Sequence, residues 1–199
     1  MPDRTDPLRV AVLISGNGSN LQAIIDHSEN APGLYEVVAV ISNREDAYGL
    51  ERADRAGIST AVVDHKAYDS RKSYDHALMQ IIDAFAPELV VLAGFMRILT
   101  PEFVRHYAGR MLNIHPSLLP KYKGLNTHQR AIDAGDHVHG CSVHFVTEEL
   151  DDGPVVLQAE VPIIDGDTAE TLAERVHVQE HIIYPEAVRR FALGELKPE

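Results

Sequence analysis

Arg9-Val-Ala-Val-Leu-Ile-Ser-Gly-Asn-Gly-Ser-Asn20 joins a continuous apolar, β-prone run to a glycine turn. After the turn, Leu21, Ile24 and Ile25 recur at the spacing of one helical face. An uninterrupted apolar strand is typical of a parallel sheet that is covered on both faces. The stretch therefore predicts a strand, a tight turn and a helix, which together open a doubly wound α/β fold.

The same alternation of strands and helices continues to about residue 115. Within it, one predicted helix carries Tyr74, Leu78, Ile81 and Ile82 on a single face. Such repeats predict parallel strands joined by right-handed crossovers. The predicted segments are helices at 47–56, 70–85 and 101–107, and strands at 35–42, 60–63, 89–92 and from 111.

The second half of the chain has a different pattern. Two strands predicted at 140–147 and 154–162 are separated only by an acidic turn, which is short enough for an antiparallel hairpin. We therefore expect an α/β, Rossmann-like, three-layer α/β/α fold, with a mostly parallel sheet and an antiparallel C-terminal part. A single domain is expected over 1–199, with a nucleotide-binding half at about 9–100 and a catalytic half at about 101–197.

The C-terminal segment predicts one long helix. It is expected to begin near Asp167, with Glu170 as a capping-box partner, and to run towards Gly194 with a kink at Pro185. The segment 121–139 is predicted to be a loop.

The composition limits the kinds of partner. Lys and Arg total 18 against 30 Asp and Glu, so the formal charge of −12 disfavours nucleic acid. The single cysteine, Cys141, excludes an internal disulfide and indicates a reducing compartment. No apolar run approaches the roughly 20 residues that span a bilayer, and residues 1–6 lack the apolar core of a signal peptide. We expect a cytoplasmic protein with no membrane partner.

The turn after the first strand is a candidate phosphate site. Backbone N–H groups of Gly18, Ser19 and Asn20 would lie at the positive end of the following helix. The match to a dinucleotide fingerprint is partial, since Leu21 replaces its third glycine and no acidic ribose clamp follows the second strand. A monophosphate cradle is therefore predicted, and the alternative is an ordinary strand-to-helix turn.

The stretch Met111-Leu-Asn-Ile-His-Pro-Ser-Leu-Leu-Pro120 holds the candidate catalytic groups. Alternate residues of a strand share a face, so Asn113 and His115 are predicted side by side at the strand's carboxyl end. An amide donor beside an imidazole suits a carbonyl oxygen that becomes negative while a proton moves. Asp151 would join them if strands 111–115 and 140–147 are neighbours. The alternatives are a satisfied core histidine and a solvated acidic turn.

Two further features are open to alternative interpretations. Gly94-Phe-Met-Arg-Ile-Leu-Thr100 combines apolar surface with one guanidinium, which suits a flat heteroaromatic ligand or simply plugs the end of the sheet. Four histidines, at 128, 137, 139 and 144, raise the question of a metal site. No His-Glu-x-x-His motif or cysteine pair supports one, and His137 and His139 are expected in a loop, so we predict no metal.

Four motifs together closely resemble the phosphoribosylglycinamide formyltransferases. They are Ile-Ser-Gly-Asn-Gly-Ser-Asn-Leu-Gln-Ala-Ile (14–24), Leu-Ala-Gly-Phe-Met-Arg-Ile-Leu (92–99), Asn-Ile-His-Pro-Ser-Leu-Leu-Pro (113–120) and Ser-Val-His-Phe-Val-Thr-Glu-Glu-Leu-Asp-Asp-Gly-Pro (142–154). The resemblance covers about residues 9–197. It implies transfer of a formyl group from 10-formyltetrahydrofolate, as co-substrate, to the amine of 5′-phosphoribosylglycinamide in purine biosynthesis, without a metal.

The resemblance also implies roles for individual residues. Asn113, His115 and Asp151 would be catalytic, with Asn113 and protonated His115 donating to the oxyanion and Asp151 relaying a proton through water. Gly18, Ser19 and Asn20 would bind the substrate phosphate. The substrate's ribose or amine end would meet His177, Val178, Gln179 and Glu180. The folate would contact Arg71, Met96, Arg97, Ile98, Leu99, Asn113, Thr147, Glu148, Glu149, Leu150 and Asp151.

Two departures and three rival functions accompany the resemblance. Lys123 and Asn126 stand where the family commonly has proline and histidine, which questions the rigidity of the loop. A formyltetrahydrofolate hydrolase and a methionyl-tRNA formyltransferase are disfavoured, because their relatives carry extra domains for which 199 residues leave no room. A non-catalytic binding module would lose a catalytic residue, whereas Asn113, His115 and Asp151 are all present. The chain is expected to be a monomer or a homodimer.

Overall fold

A single seven-stranded sheet forms the middle of the protein, whose computed structural model describes residues 4–198. The strand order is β3-β2-β1-β4-β5-β6-β7. The first five strands are parallel, whereas β6 is antiparallel to both β5 and β7. The strands are β1 (Leu8–Ile14), β2 (Tyr35–Ser42), β3 (Thr60–Val62), β4 (Leu89–Leu92), β5 (Met111–His115), β6 (Val138–Phe145) and β7 (Val155–Pro162).

Helices cover both faces of the sheet because the central strands are apolar on both sides. Val12 of β1 packs on the face that carries α1, α2 and α6, whereas the adjacent Leu13 packs on the face that carries α3 and α4. This confirms the predicted three-layer α/β/α architecture. The helices are α1 (Ser19–Asn30), α2 (Tyr48–Arg55), α3 (Arg71–Ala84), α4 (Pro101–His106), α5 (Thr127–Asp133) and α6 (Ala169–Ala192).

Some local predictions were wrong. The supposed loop at 121–139 contains α5, and His139 lies within β6. The N-cap of α6 is Thr168 and its capping-box partner is Thr171, so Glu170 has no such role. Ile81 is exposed, since the buried stripe of α3 instead includes Asp75 and Met79. The errors at 121–139 and at Ile81 arose where tertiary contacts outweighed a local pattern, whereas the cap of α6 is a local hydrogen-bond pattern one residue further along the chain.

The long helix α6 continues through Pro185. Between residues 4 and 198, no helix is both long and apolar enough to cross a membrane. The signal-peptide prediction rested on residues 1–6, of which 1–3 lie outside the described residues.

Candidate active site

A cavity of about 900 Å³ opens at the carboxyl edge of the parallel strands. The ends of β1, β4 and β5 meet there, so chain segments distant in sequence share one site, as is usual in open α/β sheets. Its walls come from both predicted halves of the chain. The lining includes Ser15, Gly16, Asn17, Gly18, Ser19, Asn20, Asn43, Ala93, Gly94, Phe95, Met96, Asn113, His115, Gly124, His128, His177 and Glu180.

His115 ends β5 with both ring nitrogens close to oxygen atoms. Its Nε2 donates to the backbone carbonyl of Tyr122, at 2.8 Å, and its Nδ1 lies 3.4 Å from Oδ2 of Asp151. The side chains of His115 and Asp151 are each only 7% exposed. Because both side chains are buried, the interaction between the carboxylate and the imidazole is screened by water less than that of an exposed pair.

Asp151 is held in place by the turn between β6 and β7. Its backbone is left-handed, with φ +52°, a conformation that Asp and Asn tolerate better than most residues. Oδ2 also accepts the N–H of Gly124 at 2.9 Å, and Oδ1 lies 3.9 Å from Nε2 of His144. The carboxylate is therefore fixed between the hairpin turn and the segment that follows β5.

Asn113 faces His144 across the antiparallel β5–β6 pair, where the two residues are register partners. Nδ1 of His144 donates to the carbonyl of Phe145 at 3.0 Å, because a carbonyl can only accept. Burial lowers the pKa of His144 and so favours the neutral ring, whose Nε2 then accepts from Nδ2 of Asn113 at 3.4 Å. This contact orients the amide of Asn113 at the cavity wall.

The glycine turn after β1 leaves backbone donors free at the start of α1. Gly18 has φ +76°, and a Cβ atom there would lie 2.7 Å from Cα of Gly49, so only glycine fits. Arg52 supports the turn by donating to the carbonyl and to Oδ1 of Asn17, at 2.8 and 2.6 Å. The first turn of α1 has no side-chain cap, and Gly18, Ser19 and Asn20 line the cavity, an arrangement in which backbone N–H groups are able to bind an anion.

The segment 94–100 carries apolar side chains to the cavity and its rim. Met96 is 70% exposed and Ile98 is 59% exposed, whereas Leu99 packs against the core. The guanidinium of Arg97 lies over the ring of Tyr74 at 4.3 Å. Exposed apolar groups beside polar ones are typical of a surface that binds a flat ligand.

Comparison with known proteins identifies the family of the chain. The family model described as formyl transferase matches residues 8–188. The chain belongs to the formyl transferase family. Phosphoribosylglycinamide formyltransferase of Escherichia coli (strain K12) is 59% identical over 190 residues, which are 96% of this chain and 90% of that protein. The resemblance read from the sequence is thereby confirmed.

Solved structures of formyl transferases share the whole fold. Phosphoribosylglycinamide formyltransferase from Coxiella burnetii is 55% identical, with a TM-score of 0.93, covering 98% of this chain and 91% of that one. Glycinamide ribonucleotide transformylase 1 from Symbiobacterium toebii is 47% identical, with a TM-score of 0.95, covering 100% and 94%. The predicted mostly parallel sheet with an antiparallel end is the fold of these relatives.

The remaining residues that were predicted to bind folate surround the site unevenly. Arg71 is exposed at the start of α3 and does not line the cavity. In the turn before Asp151, Oγ1 of Thr147 donates to the carbonyl of Glu149 at 3.4 Å. Glu148 pairs with Arg105 at 2.8 Å, and Leu150 is exposed. Asp151 thus brings this turn beside His115, whereas Arg71, Arg97, Ile98, Leu99 and residues 147–151 are not part of the cavity lining.

Only part of the predicted ribose or amine site on α6 reaches the cavity of this formyl transferase. His177 and Glu180 line it, whereas Val178 is exposed and Gln179 is not part of the lining. Burial raises the pKa of Glu180 to about 7. Its Oε2 has no hydrogen-bond partner among the described residues and lies 3.6 Å from Nε2 of His177.

Glu180 is expected to make stability depend on pH. Its pKa is raised from 4.5 to about 7, so its contribution is fully present below pH 4.5 and is lost as pH rises through 7. Relative to Glu180→Gln, the wild type should lose about 3 kcal/mol of unfolding free energy over this range. Denaturant titrations from pH 4 to 8 measure the difference. Burial lowers the pKa of His139 to about 4, but both proteins retain His139, so its effect on the unfolding free energy is the same in each. A difference in unfolding free energy that does not change with pH would contradict the raised pKa of Glu180.

The histidines that raised the question of a metal are dispersed. Nδ1 of His128 lies 3.1 Å from Nε2 of His139, and burial lowers both pKa values. His144 belongs to the Asn113 contact. No group of three or more candidate metal ligands occurs among residues 4–198.

Several residues of the site escaped the sequence analysis. Tyr122 and Gly124 contribute backbone atoms, which have no residue-specific signature. Ser15 and Asn43, at the ends of β1 and β2, line the cavity, and the position of Ser15 directly before the glycine turn was the available signal. The two departures also have structural explanations. Lys123 forms an ion pair with Asp152, and Asn126 adopts φ +57°, which asparagine tolerates.

Proposed function

We propose that this transferase moves the formyl group of 10-formyltetrahydrofolate to the amine of 5′-phosphoribosylglycinamide, giving N-formyl-phosphoribosylglycinamide and tetrahydrofolate in purine biosynthesis. One observation carries the proposal. Asn113 and His115 line a cavity that also contains the glycine turn 16–20, and Oδ2 of Asp151 lies 3.4 Å from Nδ1 of His115. The identity to phosphoribosylglycinamide formyltransferase of Escherichia coli supports it across nearly the whole chain.

The acceptor substrate occupies the side of the cavity nearest α1 and α6 in this proposal. Its phosphate accepts from the N–H groups of Gly18, Ser19 and Asn20, whose position at a helix start suits a dianion. His177 and Glu180 reach its ribose or amine end. The unpaired Oε2 of Glu180 supports this assignment, since a buried carboxyl oxygen without a donor is costly unless a ligand supplies one. Val178 and Gln179 are left without direct contact.

The folate occupies the opposite side, to which the predicted nucleotide-binding half contributes segment 94–100 and the predicted catalytic half contributes the turn 147–151. Its pterin packs against Met96, Ile98 and Leu99, and a flat ring would cover the exposed apolar surface of Met96 and Ile98. The proposal also assigns Arg97, Thr147, Glu148, Glu149 and Leu150 to the folate, and Arg71 to its carboxylate end, all of them outside the cavity lining. Asn113 and Asp151 lie where the two substrates meet.

The reaction forms one C–N bond and breaks another. The amine nitrogen attacks the formyl carbon, and the carbonyl electrons move to oxygen, where Asn113 and His115 donate hydrogen bonds. Nε2 of His115 donates to the carbonyl of Tyr122 in this structure, so its donation to the formyl oxygen requires that oxygen to replace this carbonyl. Asp151 stabilises the imidazolium and relays through water the proton that leaves the attacking nitrogen. That proton reaches the folate nitrogen as its bond to carbon breaks and the carbonyl re-forms.

An assay with and without the amine tests the function. Purified protein is mixed with 10-formyltetrahydrofolate, and release of tetrahydrofolate is followed with and without phosphoribosylglycinamide. Transfer requires the amine. Equal rates in both mixtures would indicate hydrolysis, and no reaction in either would indicate a binding module.

Ser19→Asp is expected to weaken binding of the acceptor selectively. Ser19 is the first residue of α1, where a carboxylate favours the helix but repels a phosphate. The KM for phosphoribosylglycinamide should rise by about 100-fold or more, and that for folate by less than about threefold. Ser19→Asn, which is similar in size and uncharged, is the control. If Ser19→Asp left the KM for phosphoribosylglycinamide unchanged, the phosphate would have to bind at another place.

The proposal also covers the cellular location and the oligomeric state of the protein. It includes a cytoplasmic location, which the single buried Cys141 supports, and action as a monomer or homodimer without nucleic acid. The proposed steps need no metal, because an amide and an imidazolium supply the charge stabilisation.

A further inference from the structure

Ser15 connects the two sides of the cavity through one hydroxyl. This side chain lies directly before the glycine turn, and its Oγ accepts the N–H of Met96 at 2.8 Å. The same Oγ donates to Oδ1 of Asn43 at 2.6 Å. A hydroxyl has a single proton, so donation to Asn43 turns a lone pair towards Met96. The side that holds the phosphate turn is thus bonded to the side that carries the apolar segment 94–100.

The segment 94–100 is also anchored away from the phosphate turn. Phe95 is buried in the core beside α3 and Leu99 packs against that core. Arg97 stacks on Tyr74, and the N–H of Thr100 donates to Oδ2 of the buried Asp75 at 2.7 Å. The bond from Met96 to Ser15 is the hydrogen bond that links the segment to the residue before the phosphate turn.

We propose that Ser15, oriented by Asn43, is a positioning residue that holds the folate-binding segment in register with the phosphate turn. The inference rests on the proposed function, because it assigns folate and phosphate to the two sides of the cavity. Ser15 touches neither reacting group. It acts through the backbone of Met96, and so governs how the formyl carbon is placed against the amine.

Burial makes this bond consequential. Ser15 is 6% exposed and Asn43 is 5% exposed, so water would replace the lost contacts poorly. Without the hydroxyl, the N–H of Met96 would lose its partner, and the segment could shift towards a conformation that satisfies it. A displacement of about 1 Å between reacting atoms is enough to reduce turnover substantially.

Ser15→Ala tests the assignment. The KM for 10-formyltetrahydrofolate should rise about tenfold, while the KM for phosphoribosylglycinamide changes by less than about twofold, since the turn N–H groups remain. Ser15→Thr keeps the hydroxyl, so its KM for 10-formyltetrahydrofolate should stay within about threefold of the wild-type value. Asn43→Ala should also raise the KM for 10-formyltetrahydrofolate. This second variant keeps the inference testable if Ser15→Ala fails to fold.

Ser28→Ala is the matched control, because Ser28 lies on α1 and its hydroxyl bonds only the carbonyl of Ile25 among residues 4–198. The inference is overturned if Ser15→Ala raises both KM values equally, changes neither, or matches Ser15→Thr. Titration with tetrahydrofolate provides a binding constant without turnover. A wild type that binds tetrahydrofolate but transfers no formyl group would remove the proposed function, and the effect of Ser15→Ala on that constant would still decide the positioning role.

Discussion

Asp151→Asn is expected to lower kcat by about 10²- to 10⁴-fold without unfolding the protein. Asparagine has nearly the same size and tolerates the left-handed backbone at φ +52°, so the turn should keep its shape. The loss comes from the charge, because an amide neither stabilises the imidazolium of His115 nor relays a proton. Steady-state kinetics with both substrates measure the fall in kcat, and the melting temperature shows whether the variant stays folded.

Asp152→Asn is the matched control for that experiment. Asp152 is adjacent to Asp151 and carries the same charge, but it is exposed and pairs only with Lys123 among the described residues. Exposed ion pairs contribute about 0–1 kcal/mol, so its kcat should stay within about threefold of wild type. If Asp151→Asn retained most of its activity, Asp151 would have no part in proton transfer.

Asn113→Ala is expected to reduce kcat by about 10²- to 10³-fold, the usual cost of one lost oxyanion donor. The KM values should change little, since the donor acts mainly when the oxygen becomes negative. Asn113→Asp removes the donor at constant volume and adds a repelling charge, so its activity should be lower still. Single-turnover formyl transfer measures the chemical step directly.

The Asn113 variants also separate chemistry from packing. The amide of Asn113 contacts Nε2 of His144, and its loss leaves that buried nitrogen without a donor. A modest fall in melting temperature is therefore expected for Asn113→Ala. If Asn113→Asp were as active as wild type while Asn113→Ala was not, a cavity rather than a missing donor would explain the loss.

The order and type of the elements around the parallel sheet were determined by the sequence alone. β2 and β4 were predicted with their observed bounds, because both are largely apolar runs, as expected of strands in a sheet covered on both faces. The glycine turn was also predicted from the sequence, since Gly18 requires a positive φ and has no room for a side chain. These are local constraints, and each acts on residues close together in the chain.

Only the tertiary structure decided what gathers around His115. Whether Asp151 belonged to the site depended on β5 and β6 being neighbours, a pairing between segments about 30 residues apart that periodicity does not specify. The carbonyl of Tyr122, which accepts from His115, and the N–H of Gly124, which donates to Asp151, are backbone groups that almost every residue possesses. α5 and the Thr168 cap were missed because packing and local hydrogen bonds outweighed weak propensities. Sequence patterns record which surfaces are buried, whereas long-range pairing decides which side chains meet.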